Sequence, residues 1–226
     1  MSRSVNVAEQ TLRRDAFIDV AQRLIQTKAY EQMSIQDILD GVGSSRGAFY
    51  HYFDSKQQLL QAVVTRMGDA AMTTLQPVVR DPSVSALAKL QHVFTGIAGW
   101  KAERRDLVLG IAEIWMSDDN ALVREKLRQR LTLDLAPMLA SIIAQGRDEG
   151  AFTVTSPDDA ARVLVSLMYA ANLLATELFI ARRAMLVTLE EVARLLGAYA
   201  EAYERVLGVE EGSLRIDSEL IRDWYQ

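Results

Sequence analysis

An all-α fold is predicted for this chain of 226 residues by three observations. Apolar residues recur at intervals of three and four over most of its length, the period of a helix with one buried face. Helix-start signals such as Ser34-Ile35-Gln36-Asp37 and stop signals such as Gly43 and Gly208 punctuate that pattern. No stretch reads convincingly as a strand, and there is no internal repeat or low-complexity tract.

Taken in order, Leu12, Ala16, Phe17, Val20, Ala21, Leu24 and Ile25 stripe a first helix that ends near Lys28-Ala29-Tyr30. Ser34 then sits at an N-cap with Asp37 three residues on, a capping box, and the helix carrying Ile35, Ile38, Leu39 and Val42 stops at Gly43. A short third helix runs from Ser45 through Tyr52. Asp54-Ser55-Lys56-Gln57 caps a fourth, with Leu59, Leu60, Val63, Val64 and Met67 on its apolar side. Beyond Asp81-Pro82, helices are expected over about 83–100, 103–117, 120–149, 157–182 and 188–207, with a last short one in 214–225. The expected organisation is a compact three-helix head and the start of a connecting fourth helix in 1–67, then a larger helical body in 68–226.

Composition narrows the chemistry. Half of the residues are apolar and 24% charged, an ordinary globular balance. There is no cysteine, which excludes disulfides, thiolate zinc sites and a cysteine nucleophile. Only His51 and His92 offer imidazole, so a multi-histidine metal centre within the chain is excluded as well. No metal or cofactor is expected, and no serine–histidine–acid set or nucleotide loop points to an enzyme. The N-terminal stretch lacks the apolar core of a secretory signal. The longest apolar run, Val163 to Ala181, is broken by Ser166, Asn172, Thr176 and Glu177, which argues for a buried or partner-facing helix rather than a membrane span. A cytoplasmic protein with no membrane partner is expected.

Net charge is −5, but residues 1–67 hold eight basic and seven acidic residues against 17 and 23 in the rest. The acidic excess therefore lies in the body, and the head is free to meet an anion. Within the head, Gly41 to Gly47 reads GVGSSRG. A phosphate-cradling loop would follow a strand with G-x-G-x-x-G spacing or precede Gly-Lys-Ser/Thr; here a capped helix precedes it and the spacing is G-x-G-x-x-x-G. Two short helices joined by a glycine-containing turn, after a longer helix, are instead the pattern of a helix-turn-helix.

The segment AQRLIQTKAYEQMSIQDILDGVGSSRGAFYHYFDSKQQLL, from Ala21 to Leu60, resembles the DNA-binding head of the TetR family of bacterial transcriptional regulators. The resemblance rests on Ala21, Leu24, Ile25 and Tyr30, then Ser34, Ile35, Asp37, Ile38 and Gly43. Its most diagnostic part is Ser45, Gly47, Phe49, Tyr50, Tyr52, Phe53, Ser55 and Lys56, leading into Leu59-Leu60. It covers about a fifth of the chain; the body matches only in size and helical character. Ala29 stands where the family usually has glycine, Ser44 where a small aliphatic residue is usual, and Ala48 where a threonine often touches phosphate.

The resemblance implies that Ser34, Ser45, Arg46, Gly47, Tyr50, His51, Tyr52 and Lys56 face double-stranded DNA. Arg46 lies in the first turn of the short helix, where arginine suits guanine O6 and N7 in the major groove. Gly47 permits close approach, and the Ser34 and Ser45 caps leave N–H groups that suit phosphate. Tyr50 matches a phosphate-contacting tyrosine. Lys56 opposes the dipole at a helix N-terminus, which favours a phosphate ligand for it. Phe49 and Phe53 are assigned to the core.

One short helix reads few base pairs, so specificity needs two heads on a palindromic operator. The family resemblance implies a homodimer through helices 157–182 and 188–207, the second striped by Val192, Leu195, Leu196, Ala198, Tyr199 and Tyr203. It also implies a small-molecule effector site in the body, and candidate lining residues are Phe94, Trp100, Glu113, Trp115, Met116, Met168, Tyr169 and Asn172, with His92 and Glu177 as further polar groups. Glu113 reads either as a pocket carboxylate or as a surface or salt-bridge residue. The expected function is a ligand-responsive DNA-binding regulator, a repressor released by a small, mainly apolar effector. The alternative is a helical interaction protein whose head has lost DNA binding, with Ala48 and the weak positive charge in its favour.

Overall fold

The structure of the chain is a computed structural model and describes residues 2–215 and 218–225. Among those residues there are ten α-helices, one 3₁₀ turn and no strand. The helices are α1 (Ser2–Gln32), α2 (Ile35–Val42), α3 (Arg46–Tyr52), α4 (Lys56–Arg80), α5 (Ala86–Ala102), α6 (Arg105–Met116), α7 (Ala121–Asp148), α8 (Pro157–Arg183), α9 (Leu189–Leu207) and α10 (Ser218–Tyr225). The 3₁₀ turn, Asp118–Asn120, precedes α7.

The expected helices are present, with two differences of extent. The first begins ten residues earlier than its apolar stripe, because Ala8, Glu9 and Gln10 are strong helix formers and Arg13 bonds Glu9 one turn back at 2.6 Å. The last begins at Ser218 rather than 214, with Leu214 outside it and its backbone N–H donated to Glu204 Oε1 at 2.7 Å. Positions 216 and 217 of the expected helix lie outside the described residues. The backbone of α1 breaks at Ala29, where φ is 60° and ψ 163°. This is the site at which a glycine was noted as usual, and the observed conformation is one that side chains strongly disfavour.

The residues divide into two compact units, Met1–Asp69 with Arg104–Val123, and Ala70–Glu103 with Arg124–Gln226. The segment 104–123, which the sequence assigns to the body, thus groups with the head. In this first unit Phe17, Phe49 and Phe53 form an aromatic centre, Phe17 meeting the other two edge-on at 5.7 and 6.2 Å. Ile18, Ala21, Ile25, Ile38, Leu59, Leu60 and Val63 close around it with almost no exposure. Burying side chains of this size is worth about 1.5–3 kcal/mol each and holds α2 and α3 on α1 and α4. α6 adds Leu107, Ile111, Ala112 and Trp115 to the buried set. Buried Asn120 donates to Ile114 O at 2.9 Å, while Gln57 on α4 donates to Asp119 O and to Asn120 Oδ1.

The second unit is built around Leu75, Leu90, Val93, Leu135, Leu139, Ile142, Ile143, Phe152, Leu164, Val165, Tyr203 and Leu207. α8 and α9 pack side by side, and α10 is laid on α5, α8 and α9, with Tyr225 donating to Ala175 O at 2.9 Å. Among the described residues, α8 is long and apolar enough to cross a membrane, and 22% of its most apolar stretch is buried within the chain.

Candidate nucleic-acid interface

The turn between α2 and α3 is fixed at both ends. Ser34 Oγ accepts the Asp37 backbone N–H at 3.1 Å, and Asp37 Oδ2 accepts the Ser34 N–H at 2.8 Å, completing the capping box that the sequence predicts. Gly43 ends α2 at φ 69°, ψ 41°, the left-handed conformation that glycine takes without strain, and Ser44 N–H returns to Leu39 O at 3.0 Å. Ser45 then caps α3 through the Ala48 N–H at 3.3 Å. Both serine side chains are committed to their helices while remaining exposed.

The short α3 is sorted sharply by its neighbours. Phe49 is fully buried, as is Phe53 just past the helix, both in the core as expected. Ser45, Arg46, Gly47, Tyr50 and His51 are exposed, Tyr50 at 45%. A Cβ built on Gly47 would meet nothing within 4 Å, so the protein itself gives that position no reason to be small. The result is an outward face of one arginine, one tyrosine and one histidine around a glycine, on a helix whose opposite side is locked into the aromatic centre.

Two members of the expected DNA-facing set are held differently. Tyr52 is half-buried, its ring 6.0 Å from Phe17 and 4.8 Å from His51. Lys56 folds back over the ring of Tyr30 at 4.1 Å and reaches Glu31 O at 3.4 Å. Burial lowers the Lys56 ammonium below its ordinary pKa and pushes the Tyr30 phenol up to about 12. This cation–π contact supplies a reason for a lysine at a helix N-terminus that does not involve an anion.

Asp37, besides capping α2, pairs with Lys28 at 2.9 Å. The Lys28 hydrogen bond, with those from Ser34, holds its carboxyl far below the usual range. This pins α2 to the end of α1 and so sets the angle at which α3 is presented.

Residues 17–63 match the family model of bacterial regulatory proteins, tetR family. The matched span runs from the aromatic centre through the turn to the first half of α4. The head, over residues 17–63, is thus similar to that of the tetR-family regulators. It is 26% identical over 144 residues to the HTH-type transcriptional regulator EthR of Mycolicibacterium smegmatis, which covers 56% of this chain and 66% of that protein. Across the relatives that it matches, the chain spans between 32% and 66% of their length. Thermus thermophilus FadR, a TetR-family repressor solved with lauroyl-CoA, shares the fold at a TM-score of 0.62 and 18% identity, over 90% of this chain and all of that one. RolR, solved with resorcinol, does so at 0.60 and 20%, over 96% and 95%. These relatives are regulators of transcription, not enzymes.

The residues expected to line an effector site are divided between the two units. Glu113, Trp115 and Met116 belong to the first unit, with Glu113 exposed and Trp115 buried. Phe94, Trp100, Met168, Tyr169 and Asn172 belong to the second unit. There Phe94 stacks on Tyr203 at 4.9 Å, Met168 packs on the apolar core, and the Tyr169 hydroxyl donates to Arg124 O at 3.2 Å.

The second unit carries a groove of about 280 Å³ between the last turns of α4 and the length of α5. Leu75, Val78, Val79 and Val93 wall it, with Trp100, His92 and Lys89 as larger lining groups. Of the expected set only Trp100, together with His92, lies there. Lys89 escapes a sequence reading because it sits at an ordinary helical position, yet it is 4% exposed and donates to Gln145 Oε1 at 2.7 Å. Lys101 escapes for the same reason. Its ammonium is crowded by protein and donates to Asn172 Oδ1, and burial pushes its pKa down to about 8.

Proposed function

We propose that the chain is a DNA-binding transcriptional regulator that reads a palindromic operator as a homodimer and is released from it by a small ligand. The observation that carries this reading is the exposed face of α3, where Arg46, Tyr50 and His51 surround a glycine that the fold itself leaves unconstrained. An arginine in the first turn of such a helix suits guanine in the major groove, and the Ser45-capped N-terminus suits phosphate. Gly47 lets the backbone come close. Ser34 joins the phosphate-facing set, whereas Tyr52 and Lys56 are proposed to support the face by packing, with Lys56 reaching a phosphate only by leaving Tyr30.

Dimerisation is supported by α8. Its most apolar stretch has a mean hydropathy of 1.8 and is largely uncovered within one chain, and α9 beside it carries Leu195, Leu196 and Tyr199 half-exposed. Two copies of this pair would bury each other and space two heads about 34 Å apart, one helical turn of DNA. A helix facing a partner chain in this way gives its apolar surface a role in a cytoplasmic regulator. An effector in the second unit would act by favouring the dimer whose heads do not match the operator. The ligands in the FadR and RolR structures, lauroyl-CoA and resorcinol, support a small-molecule effector for this chain too.

Genomic footprinting of the full chain, followed by titration of the recovered DNA at several salt concentrations, tests this reading. It predicts a salt-sensitive, sequence-preferring complex containing two chains per operator. A folded protein with no salt-dependent affinity for any DNA would instead support a helical interaction protein with a degenerate head.

A further inference from the structure

Two glycines of α5 line the groove that this helix forms with α4, and the fold asks different things of them. A Cβ on Gly96 would stand 2.8 Å from Leu75 Cδ2, so that glycine lets α4 close on α5. A Cβ on Gly99 would meet nothing within 4 Å. Glycine inside a helix costs conformational entropy that alanine would not, and packing within the chain gives nothing in return here. Gly99 thus keeps open a space that the protein itself does not fill. The walls around that space are aliphatic for most of their length, through Leu75, Val78, Val79 and Val93.

The ionisable groups lining the groove are Lys89, His92 and Glu103. Lys89 lies in the first turn of α5 and Glu103 at its C-cap, about 21 Å further along the axis. His92 and Glu103 are exposed, whereas Lys89 is 4% exposed and is the enclosed charge of the lining. An ammonium has three N–H to donate, and among the described residues this one has a single acceptor, Gln145 Oε1 at 2.7 Å. Two carboxylates feel its charge, but their bonds go elsewhere: Asp81 to Ser83, Glu149 to the Ala86 N–H and Gln145. A cation this deep with so few acceptors is well placed to take another.

We propose that the groove binds a small monocarboxylic acid with an aliphatic body, its carboxylate on Lys89 and its chain running toward Gly99. The chain displaces water along the four aliphatic walls and occupies the space over Gly99. The carboxylate accepts N–H that Gln145 leaves over, a charge-assisted bond. Its head lies at the Lys89 end because Glu103 repels it from the other. With Asp81 and Glu149 sharing its field, Lys89 balances one negative charge rather than the two of a phosphate monoester. The inference rests on the reading of the second unit as the effector-binding part, and gives that ligand a chemical class and a place.

Calorimetric titration of the full chain with octanoate and with 1-octanol, an uncharged match, tests it. Octanoate binds at least about tenfold more tightly than octanol, the effect of one charge-assisted hydrogen bond. Lys89→Met removes that preference and leaves octanol binding unchanged. Gly99→Leu fills the groove and loses at least about tenfold in affinity for both probes, while its unfolding midpoint does not fall, since leucine suits a helix better than glycine. Equal binding of the two probes by the wild-type chain, a preference that survives in Lys89→Met, or full binding by Gly99→Leu overturns the proposal. Should Lys89→Met not fold, lysine-Nζ NMR of the wild-type chain decides: octanoate moves the Lys89 resonance and octanol does not, and an unmoved resonance overturns it. Release of operator DNA is followed separately. Lys89-dependent binding without release keeps the site and counts against the effector reading; release by octanoate that persists in both variants keeps that reading and overturns the site.

Discussion

Gly110 on α6 lies so close to Ile25 on α1 that a Cβ at position 110 would stand 2.5 Å from the Ile25 carbonyl oxygen. The obstacle is backbone rather than the end of a flexible side chain, so it cannot step aside. This close approach is what brings α6 onto the first helix of the DNA-reading unit. Gly110→Ala is expected to force the two helices apart and cost about 1–3 kcal/mol, the usual range for overpacking a core. Thermal unfolding measures it directly, and an unchanged midpoint would show that the two helices do not depend on the contact.

Ala29 offers the opposite change. Its φ of 60° with ψ 163° falls in a region that is essentially reserved for glycine, at a cost of about 1–3 kcal/mol. Ala29→Gly removes that strain and loses a smaller amount to unfolded-chain entropy, about 0.5–1 kcal/mol. A net gain of about 1 kcal/mol in urea unfolding is expected, with DNA affinity kept. Destabilisation by glycine would mean that the backbone at this point is not held as described.

Asp37 should make the head sensitive to acid. Its carboxyl titrates below the ordinary value because Lys28, and after it Ser34, bond the charged form. A depressed folded pKa contributes stability that is fully present above the unfolded value of about 3.9 and is lost as pH falls through the folded one. Asp37→Asn is therefore expected to be less stable than the wild-type chain at neutral pH, with the difference narrowing below about pH 4. Paired denaturation series across pH check this, and a gap that persists unchanged at low pH would assign the effect to packing instead.

How far the sequence alone reached depends on what each feature requires. The helix pattern, the Ser34 box, the Gly43 stop and the Ser45 start were all legible, because each is decided by residues within one turn of one another. The burial of Phe49 and Phe53 was legible from spacing. The association of 104–123 with the head was not, since nothing in that segment marks Gly110 as a glycine forced by Ile25. Lys56 was read from its position against the helix dipole, while its actual partner, the ring of Tyr30, lies 26 residues away in sequence. The second unit was least legible. Lys89 looks like an ordinary surface lysine of an amphipathic helix, and only packing against α7 reveals that it is enclosed.

The central claim is that the outward face of α3 exists to meet DNA, and Gly47 tests it most directly. Because a Cβ there meets nothing in the protein, Gly47→Leu should leave stability within about 0.5 kcal/mol of the wild-type chain, as for an ordinary surface change. In fluorescence-anisotropy titration of the footprinted operator, the same variant should lose at least about tenfold in affinity, and Arg46→Ala should lose about 1–3 kcal/mol together with preference at its base position. Full operator affinity in both variants, with the fold intact, would contradict the account.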